Sequence, residues 1–196
     1  MSEEIKEGYT RATEVLSQWD KFSMINNEVF VAKTILGTNV HAAIANYYRG
    51  IPTELTDAEQ GYFDSFYGWN AINVTDVVDF EKRMYDDKRM LTGAMDAIVK
   101  LGDELVLLDW KCSYNADKLG WPLQASFYMQ LLKSSEGIEV NRAIFVKLDK
   151  EGNFPKTFEY AQTPELIELT NAALLLYRYQ KPWIEKRKFA TEEFAE

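Results

Sequence analysis

The spacing of apolar and polar residues predicts a helical first third of the chain. Thr38 is a plausible N-cap for one helix, and Gly50 is a typical residue to end it. Thr56 is the predicted N-cap of the next helix, where Glu59 completes a capping box. Apolar residues recur at helical spacing in three segments of a mainly helical part, 1–72, and these segments cover 11–22, 38–50 and 55–70.

The pattern then changes to short apolar runs that are typical of strands. A helix entered through Pro122 interrupts them and stops near Gly137. A last helix starts at Thr163 and Pro164 and is predicted to end near Gln180, before Pro182. The predicted strands fall within 73–86, 89–100, 104–112, 142–149 and 156–162.

This order of elements predicts an α/β protein with a central mixed sheet flanked by helices. The length of 196 residues favours one domain over the whole chain, 1–196. Within it we expect a helical N-terminal part, a sheet core with a central hairpin and helix, and a C-terminal helix with an acidic tail. These three parts cover 1–72, 73–160 and 161–196.

Three charged residues interrupt the apolar runs of the central hairpin. Gly-Asp at 102–103 is a signal for a two-residue turn. That turn fixes the strand register so that Asp96 falls directly opposite Asp109, with their Cβ atoms about 4.5–5.5 Å apart. Lys111 lies two residues beyond Asp109 and shares its face. The turn therefore predicts a cluster of two acids and one lysine.

Two opposed carboxylates in an apolar setting repel each other, so one must be protonated or a cation must lie between them. Oxygen ligands of this kind suit Mg²⁺ or Mn²⁺. The alternative is a buried ion pair of Lys111 with Asp109 or Asp96 and no metal. Buried ion pairs stabilise proteins poorly compared with apolar replacements, which favours a functional site without deciding the question.

The composition excludes several kinds of site and function. Cys112 is the only cysteine, which excludes an intrachain disulfide, a four-cysteine zinc site and an iron–sulfur cluster held by this chain. A net charge of −9 argues against a protein that coats nucleic acid, but not against a local metal-loaded groove. The basic cluster within 82–89 is most simply a solvated face. With no signal peptide or apolar span in the sequence, we expect a cytoplasmic protein without a membrane partner.

Four motifs in order resemble the PD-(D/E)xK nuclease superfamily in its RecB-like branch. GxxD covers 93–96 and DxK covers 109–111, which are the acid and acid-x-lysine of the family core. GxxxH at 37–41 and QxxxY at 124–128 match the upstream histidine and the downstream helix of that branch. Each motif alone is weak, but their combination and order are specific.

The resemblance implies a restriction-endonuclease-like core and a role for each matching residue. Lys111 would help to place or activate the attacking water, and Gln124 and Tyr128 would contact the DNA backbone or support the site. Glu81 is a further candidate for an accessory acid. The implied metal ligands are His41, Asp96, Asp109 and the main-chain carbonyl of Trp110.

The chain also departs from parts of the family. The first motif lacks the proline of the superfamily name, and the four cysteines of iron–sulfur members are absent. The chain is therefore similar to compact members without a cluster, such as phage exonucleases and the mitochondrial genome-maintenance type. This resemblance implies a Mg²⁺- or Mn²⁺-dependent deoxyribonuclease, in a bacterial or phage-infected cell, that acts as an exonuclease on DNA ends in recombination, repair or phage DNA processing.

Three other functions stay open at this stage. The chain is alternatively a catalytically silent nuclease-fold protein that binds DNA or a protein partner, although the acids and the lysine are intact. It is alternatively a structure-specific endonuclease. A nucleotide hydrolase is a third alternative, which the lack of a glycine-rich phosphate loop of the Walker type makes weaker.

Overall fold

A computed structural model of the chain describes residues 5–19 and 27–193. The end of the first predicted helix, at 20–22, lies outside the described residues. The N-terminal part is helical, as predicted, apart from one short strand. Its elements are β1 (Thr10–Arg11), α1 (Ala12–Leu16), a 3₁₀ turn (Ser17–Trp19), α2 (Asn27–Arg49) and α3 (Asp57–Asn73).

The rest of the chain forms five strands and two helices in the predicted order. The strands agree with the predicted segments to within a few residues at each end. These elements are β2 (Asp76–Asp86), β3 (Leu91–Leu101), β4 (Glu104–Lys111), α4 (Gly120–Glu136), β5 (Arg142–Lys147), β6 (Lys156–Ala161) and α5 (Pro164–Glu193).

The strands form one mixed six-stranded sheet, in agreement with the predicted fold class. Strands β1, β3, β4, β5 and β6 are neighbours in that order, and β2 pairs with β3. The β3–β4 and β5–β6 pairs are antiparallel, whereas β4 and β5 are parallel and joined through α4. This is a restriction-endonuclease-like arrangement, with the predicted catalytic hairpin in the middle of the sheet.

Apolar side chains cover both faces of this sheet. On one face, α4 packs with α1 and α5 over a cluster that includes Met84, Met95 and Leu107. On the other face, α2 and α3 pack over a cluster that includes Val99 and Trp110. Because both faces are covered, the central strands are buried, and charged residues within them need an explanation. No helix among the described residues is long and apolar enough to cross a membrane.

The structure corrects the predicted start of the second helix. Thr38 is not an N-cap, because α2 begins at Asn27 and passes through it. The Thr38 hydroxyl donates a hydrogen bond to the carbonyl of Thr34 one turn earlier, at 2.9 Å. A threonine in a helix can satisfy its hydroxyl in this way, so a good capping residue does not require a helix end.

The structure also corrects the predicted end of the last helix. The Thr163 hydroxyl accepts a hydrogen bond from the Leu166 N–H, which confirms the predicted cap. The helix does not end near Gln180, however, because α5 continues through Pro182 to Glu193. Proline removes one backbone donor from a helix. Here the helix continues on both sides of Pro182 although this donor is missing.

Candidate active site

The β3–β4 hairpin has the predicted register. Its turn contains Gly102, whose φ of +63° is unfavourable for residues with a Cβ. Leu101 pairs with Glu104, and the pairing continues without a shift to Ala97 and Leu108. The regular pairing ends there, one position before Asp96 and Asp109. The turn and the apolar ladder therefore bring the two acids to adjoining strand positions, and their direct opposition stays a prediction.

Asp96 lies where the regular ladder ends. Its Oδ2 accepts a hydrogen bond of 2.7 Å from the backbone N–H of Trp110 on the neighbouring strand. Its Oδ1 lies 3.1 Å from Nδ1 of His41, which α2 places above the strand end. The carboxylate thus joins β3, β4 and α2. Its side chain keeps 20% of its surface exposed and His41 keeps 32%, so the site opens to solvent at this side.

Asp109 is the buried member of the pair, with only 3% of its surface exposed. Its Oδ2 lies 2.6 Å from Nζ of Lys111. This contact is an ion pair, and no hydrogen bond of regular geometry reaches this buried oxygen within the described residues. Its Oδ1 accepts a long contact of 3.4 Å from Nε2 of Gln124. Asp109 therefore has an oxygen that could accept a further ligand.

A chain of hydrogen bonds from α4 holds the lysine. Lys111 Nζ donates to Oε1 of Gln124 at 2.9 Å, and Nε2 of Gln124 donates to the Tyr128 hydroxyl at 2.9 Å. The ammonium group also lies 4.8 Å from the ring centre of Phe145, a cation–π contact. Gln124 and Tyr128 are buried, which favours their expected supporting role over direct contact with DNA.

Gly93, at the start of the GxxD motif, allows α4 to approach the strand closely. A Cβ on Gly93 would lie 2.9 Å from both a ring carbon of Tyr128 and a methyl carbon of Leu131. These distances are shorter than van der Waals contact, so a side chain here would push the helix or its tyrosine away. Sequence analysis identified the glycine as part of a motif but did not predict this packing role.

The pKa values of His41, Asp96 and Asp109 are not all shifted in the same direction. Burial, together with repulsion from Asp96, raises the pKa of Asp109 to about 6, although Lys111 opposes the rise. Burial also acts to raise the pKa of Asp96, but His41, Lys111 and the Trp110 N–H together lower it below its ordinary value. For His41, burial acts to lower the pKa, and the Asp96 carboxylate outweighs it and raises the pKa.

The donor set fits a hard divalent cation, although it is not assembled as a finished metal site. In the part of the chain that the structure describes, no group of three His, Cys, Asp or Glu side chains is placed as a metal-holding cluster. Two carboxylates and an imidazole nevertheless lie on adjoining elements, and Oδ2 of Asp109 is buried without a hydrogen bond. A cation between the acids would relieve their repulsion and bind this oxygen.

The predicted site residues form two groups of contacts, and their roles stay predictions. The first group is His41, Asp96 and the Trp110 N–H, and the second is Asp109, Lys111, Gln124 and Tyr128. The predicted use of the Trp110 carbonyl as a metal ligand stays a prediction, whereas its N–H has a role that sequence analysis missed. Glu81 pairs with Arg49 at 2.7 Å, and its role as an accessory acid also stays a prediction.

A family model of the PD-(D/E)XK nuclease superfamily matches residues 53–193 of the chain. That match covers more than half of the sequence and includes β2 to α5 with both acids and the lysine. No curated protein matches the chain closely enough to count as a relative.

Solved structures with similar folds are distant in sequence. A protein from Eubacterium rectale, provisionally assigned as an exonuclease, is 11% identical with a TM-score of 0.54, and the match covers 88% of this chain and 79% of that one. An alkaline exonuclease from Laribacter hongkongensis is 15% identical with a TM-score of 0.49, and covers 95% of both chains. The latter enzyme in complex with dAMP gives 16% identity, a TM-score of 0.47 and the same coverage.

Proposed function

The chain belongs to the PD-(D/E)XK nuclease superfamily, and we propose that it is a Mg²⁺- or Mn²⁺-dependent deoxyribonuclease that hydrolyses phosphodiester bonds at DNA ends. Nucleases of this superfamily generally depend on a divalent metal. The observation that carries the proposal is the pair of acids at the open end of the hairpin, beside Lys111. One acid is exposed enough to meet a ligand, and the buried oxygen of the other contacts the Lys111 ammonium group without regular hydrogen-bond geometry.

In this proposal the acids and the histidine hold the cation. Asp96 and Asp109 provide carboxylate oxygens, His41 provides a ring nitrogen, and the Trp110 carbonyl is the fourth candidate. A bound Mg²⁺ or Mn²⁺ supplies a Lewis acid that lowers the pKa of water and neutralises charge on the phosphate. To bind it, Asp109 must be deprotonated, which its pKa of about 6 allows at neutral pH.

Lys111 has the role of a fixed positive charge beside the reacting phosphate. Asp109 and Gln124 hold its ammonium group through contacts of 2.6 and 2.9 Å. From this position it orients the attacking water and stabilises the negative charge that develops on the phosphate oxygens. Gln124 and Tyr128 act as positioning residues, because both are buried, Gln124 contacts the lysine, and Tyr128 contacts Gln124.

Exonuclease action is a more specific proposal than nuclease activity. It is supported by the resemblance to compact members without an iron–sulfur cluster. A structure-specific endonuclease remains the main alternative for the same site. A silent DNA-binding protein is disfavoured, because both acids and the lysine are present and held in contact with their neighbours.

The decisive assay compares linear and circular DNA, each single- and double-stranded, with Mg²⁺, Mn²⁺ or EDTA. We expect release of nucleotides from linear DNA with either metal and no release with EDTA. Cleavage that EDTA does not affect would contradict the metal requirement. Cleavage of circular DNA at the same rate would contradict the exonuclease assignment but not the nuclease assignment.

A further inference from the structure

Arg83 differs from the other two arginines that are half-buried among the described residues, Arg89 and Arg142. Each of those two has a carboxylate oxygen 2.7 Å from a guanidinium nitrogen. Arg83 has no such carboxylate and no hydrogen bond within the ranges 5–19 and 27–193. Its Nε is fully buried without a hydrogen-bond partner, and the residue as a whole is half-buried.

Arg83 lies on the face of the sheet that carries Asp96. Its strand neighbour Met84 and the cross-strand residue Met95 both belong to the cluster under α4. Side chains alternate along strands, so Arg83 and its partner in the register, Ala94, point to the opposite face. Asp96 points there too, since it contacts His41 of α2.

The surface between the arginine and the acid is open. Ala94 is exposed although it lies in a central strand, and it is two residues from Asp96. Arg83 opposite Ala94 is therefore displaced from Asp96 by about 6–7 Å along the strand direction.

A half-buried charge without a partner destabilises a folded protein. The chain has a net charge of −9, so acidic residues are abundant, and the neighbouring Lys82 has two of them, Asp79 and Glu136. A bound anion would complete the environment of Arg83. Its planar fork suits a phosphate, which it can bind through two parallel hydrogen bonds.

We propose that Arg83 binds a backbone phosphate of the DNA substrate, one or two nucleotides from the phosphate that is hydrolysed. DNA carries a phosphate about every 3.4 Å of helix axis in each strand, which matches a displacement of one or two phosphates. This inference rests on the proposed function, because it assigns the substrate contact beside the same site. It places the path of the DNA over Ala94, between Arg83 and Asp96.

The test measures DNA affinity and thermal stability in the full chain with Lys111→Met, which prevents consumption of the DNA. In that background Arg83→Gln removes the charge, Arg83→Lys keeps the charge without the fork, and Lys82→Gln removes the adjacent charge on the other face. The probe is a fluorescently labelled linear DNA with Mg²⁺ at several salt concentrations. The same substitutions in the chain with Lys111 intact report cleavage.

For Arg83→Gln we expect about tenfold weaker binding, a salt dependence reduced by about one phosphate contact, and a melting temperature that is unchanged or raised. Arg83→Lys should recover part of the affinity, and Lys82→Gln should bind within about twofold of the parent. A lower melting temperature with unchanged affinity would assign Arg83 a structural role and overturn the inference. Unchanged affinity and stability would also overturn it.

These outcomes separate this inference from the proposed function. If the chain with Lys111 intact cleaves no DNA but Arg83→Gln still loses affinity and salt dependence, the nuclease proposal fails and the phosphate contact stands. If it cleaves DNA and Arg83→Gln binds as tightly as the parent, only the phosphate contact fails. If no variant binds DNA and the intact chain does not cleave it, both are wrong.

Discussion

The two ends of the β3–β4 hairpin are built from the same strands but differ in pairing and polarity. On the turn side, the strands pair regularly, and the middle of that ladder is apolar and wholly buried. At the other end, the regular pairing stops, and the Asp96 carboxylate accepts a hydrogen bond from the N–H of Trp110. The paired end contains Ala97, Ile98, Val99, Val106, Leu107 and Leu108, each with 0% of its surface exposed.

This difference separates two tasks that one short motif performs. The paired end fixes the register, because a slip of one residue would turn every buried side chain to the wrong face. The open end uses that register to hold Asp96, Asp109 and Lys111 together, at the electrostatic cost of two close acids. Changes at the open end should therefore affect chemistry, and changes at the paired end should affect stability.

The largest expected effect is the loss of activity in Asp109→Asn. The amide keeps the shape of the side chain but cannot supply a charged ligand, so the rate of DNA cleavage should fall by about 10³-fold or more. Asp103→Asn, in the exposed turn of the same hairpin, is the matched control and should stay within about twofold. If Asp109→Asn retains cleavage comparable to the control, the assignment of the site is wrong.

The corresponding change at the paired end is Leu107→Ala. Leu107 is fully buried in the cluster under α4, so the cavity should lower the free energy of unfolding by about 2–5 kcal/mol. Denaturant unfolding measures this loss. The cleavage rate per folded molecule, at a temperature where the variant is folded, should remain close to that of the parent. A large fall in that rate would show that the two ends are not separable.

Positioning by α4 should have an intermediate effect. Gln124→Ala removes the bridge between Lys111 and Tyr128, and we expect kcat to fall about 10- to 100-fold with little change in KM. Gln130→Ala is the control on the same helix, since Gln130 bonds to Thr170 rather than to the site. A rise in KM with unchanged kcat for Gln124→Ala would instead indicate direct contact with DNA.

The close packing of β3 against α4 predicts a smaller effect for Gly93→Ala. The added methyl group would meet Tyr128 and Leu131, and we expect a loss of about 1–3 kcal/mol in stability. Gly68→Ala adds a methyl group with no atom within 4 Å, inside α3, and should raise stability by about 0.5–1 kcal/mol. Equal effects of the two changes in denaturant unfolding would contradict the packing account.

The smallest expected effect is on pH dependence. The pKa of Asp109 in the folded state, about 6, is above the ordinary value of about 3.9 in an unfolded chain. The associated stability is present below about pH 4 and lost as pH rises through about 6 in metal-free protein. The thermal shift caused by Mn²⁺ should therefore grow between about pH 5 and 7. A shift that shrinks with rising pH would argue against Asp109 as a ligand.

The hairpin was the most predictable part of the molecule, because its geometry follows from local turn chemistry. The turn at 102–103 predicted the register of the two strands, which the structure shows as far as Ala97 and Leu108. His41 could be placed at the site only through the family resemblance, since its contact with Asp96 is between residues distant in the chain. The family match then confirmed the superfamily itself.

The features that sequence analysis missed depend on neighbours that are remote in sequence. The hydrogen bond from Trp110 to Asp96 replaces ladder pairing, which no local pattern indicates. The start of α2 at Asn27 was missed because Thr38 is also satisfied inside a helix. The sequence predicts that the basic cluster containing Arg83 is a solvated face. That Arg83 is half-buried without an acidic partner becomes visible only when the packing around it is known.

The central claim is that the open end of the hairpin is a metal site and not a buried ion pair. Anomalous diffraction from crystals soaked in Mn²⁺ tests it most directly. We predict a Mn²⁺ peak between the carboxylates of Asp96 and Asp109, near the His41 ring, that is absent in Asp109→Asn crystals. Crystals without such a peak, in which Lys111 still contacts Asp109, would contradict the claim.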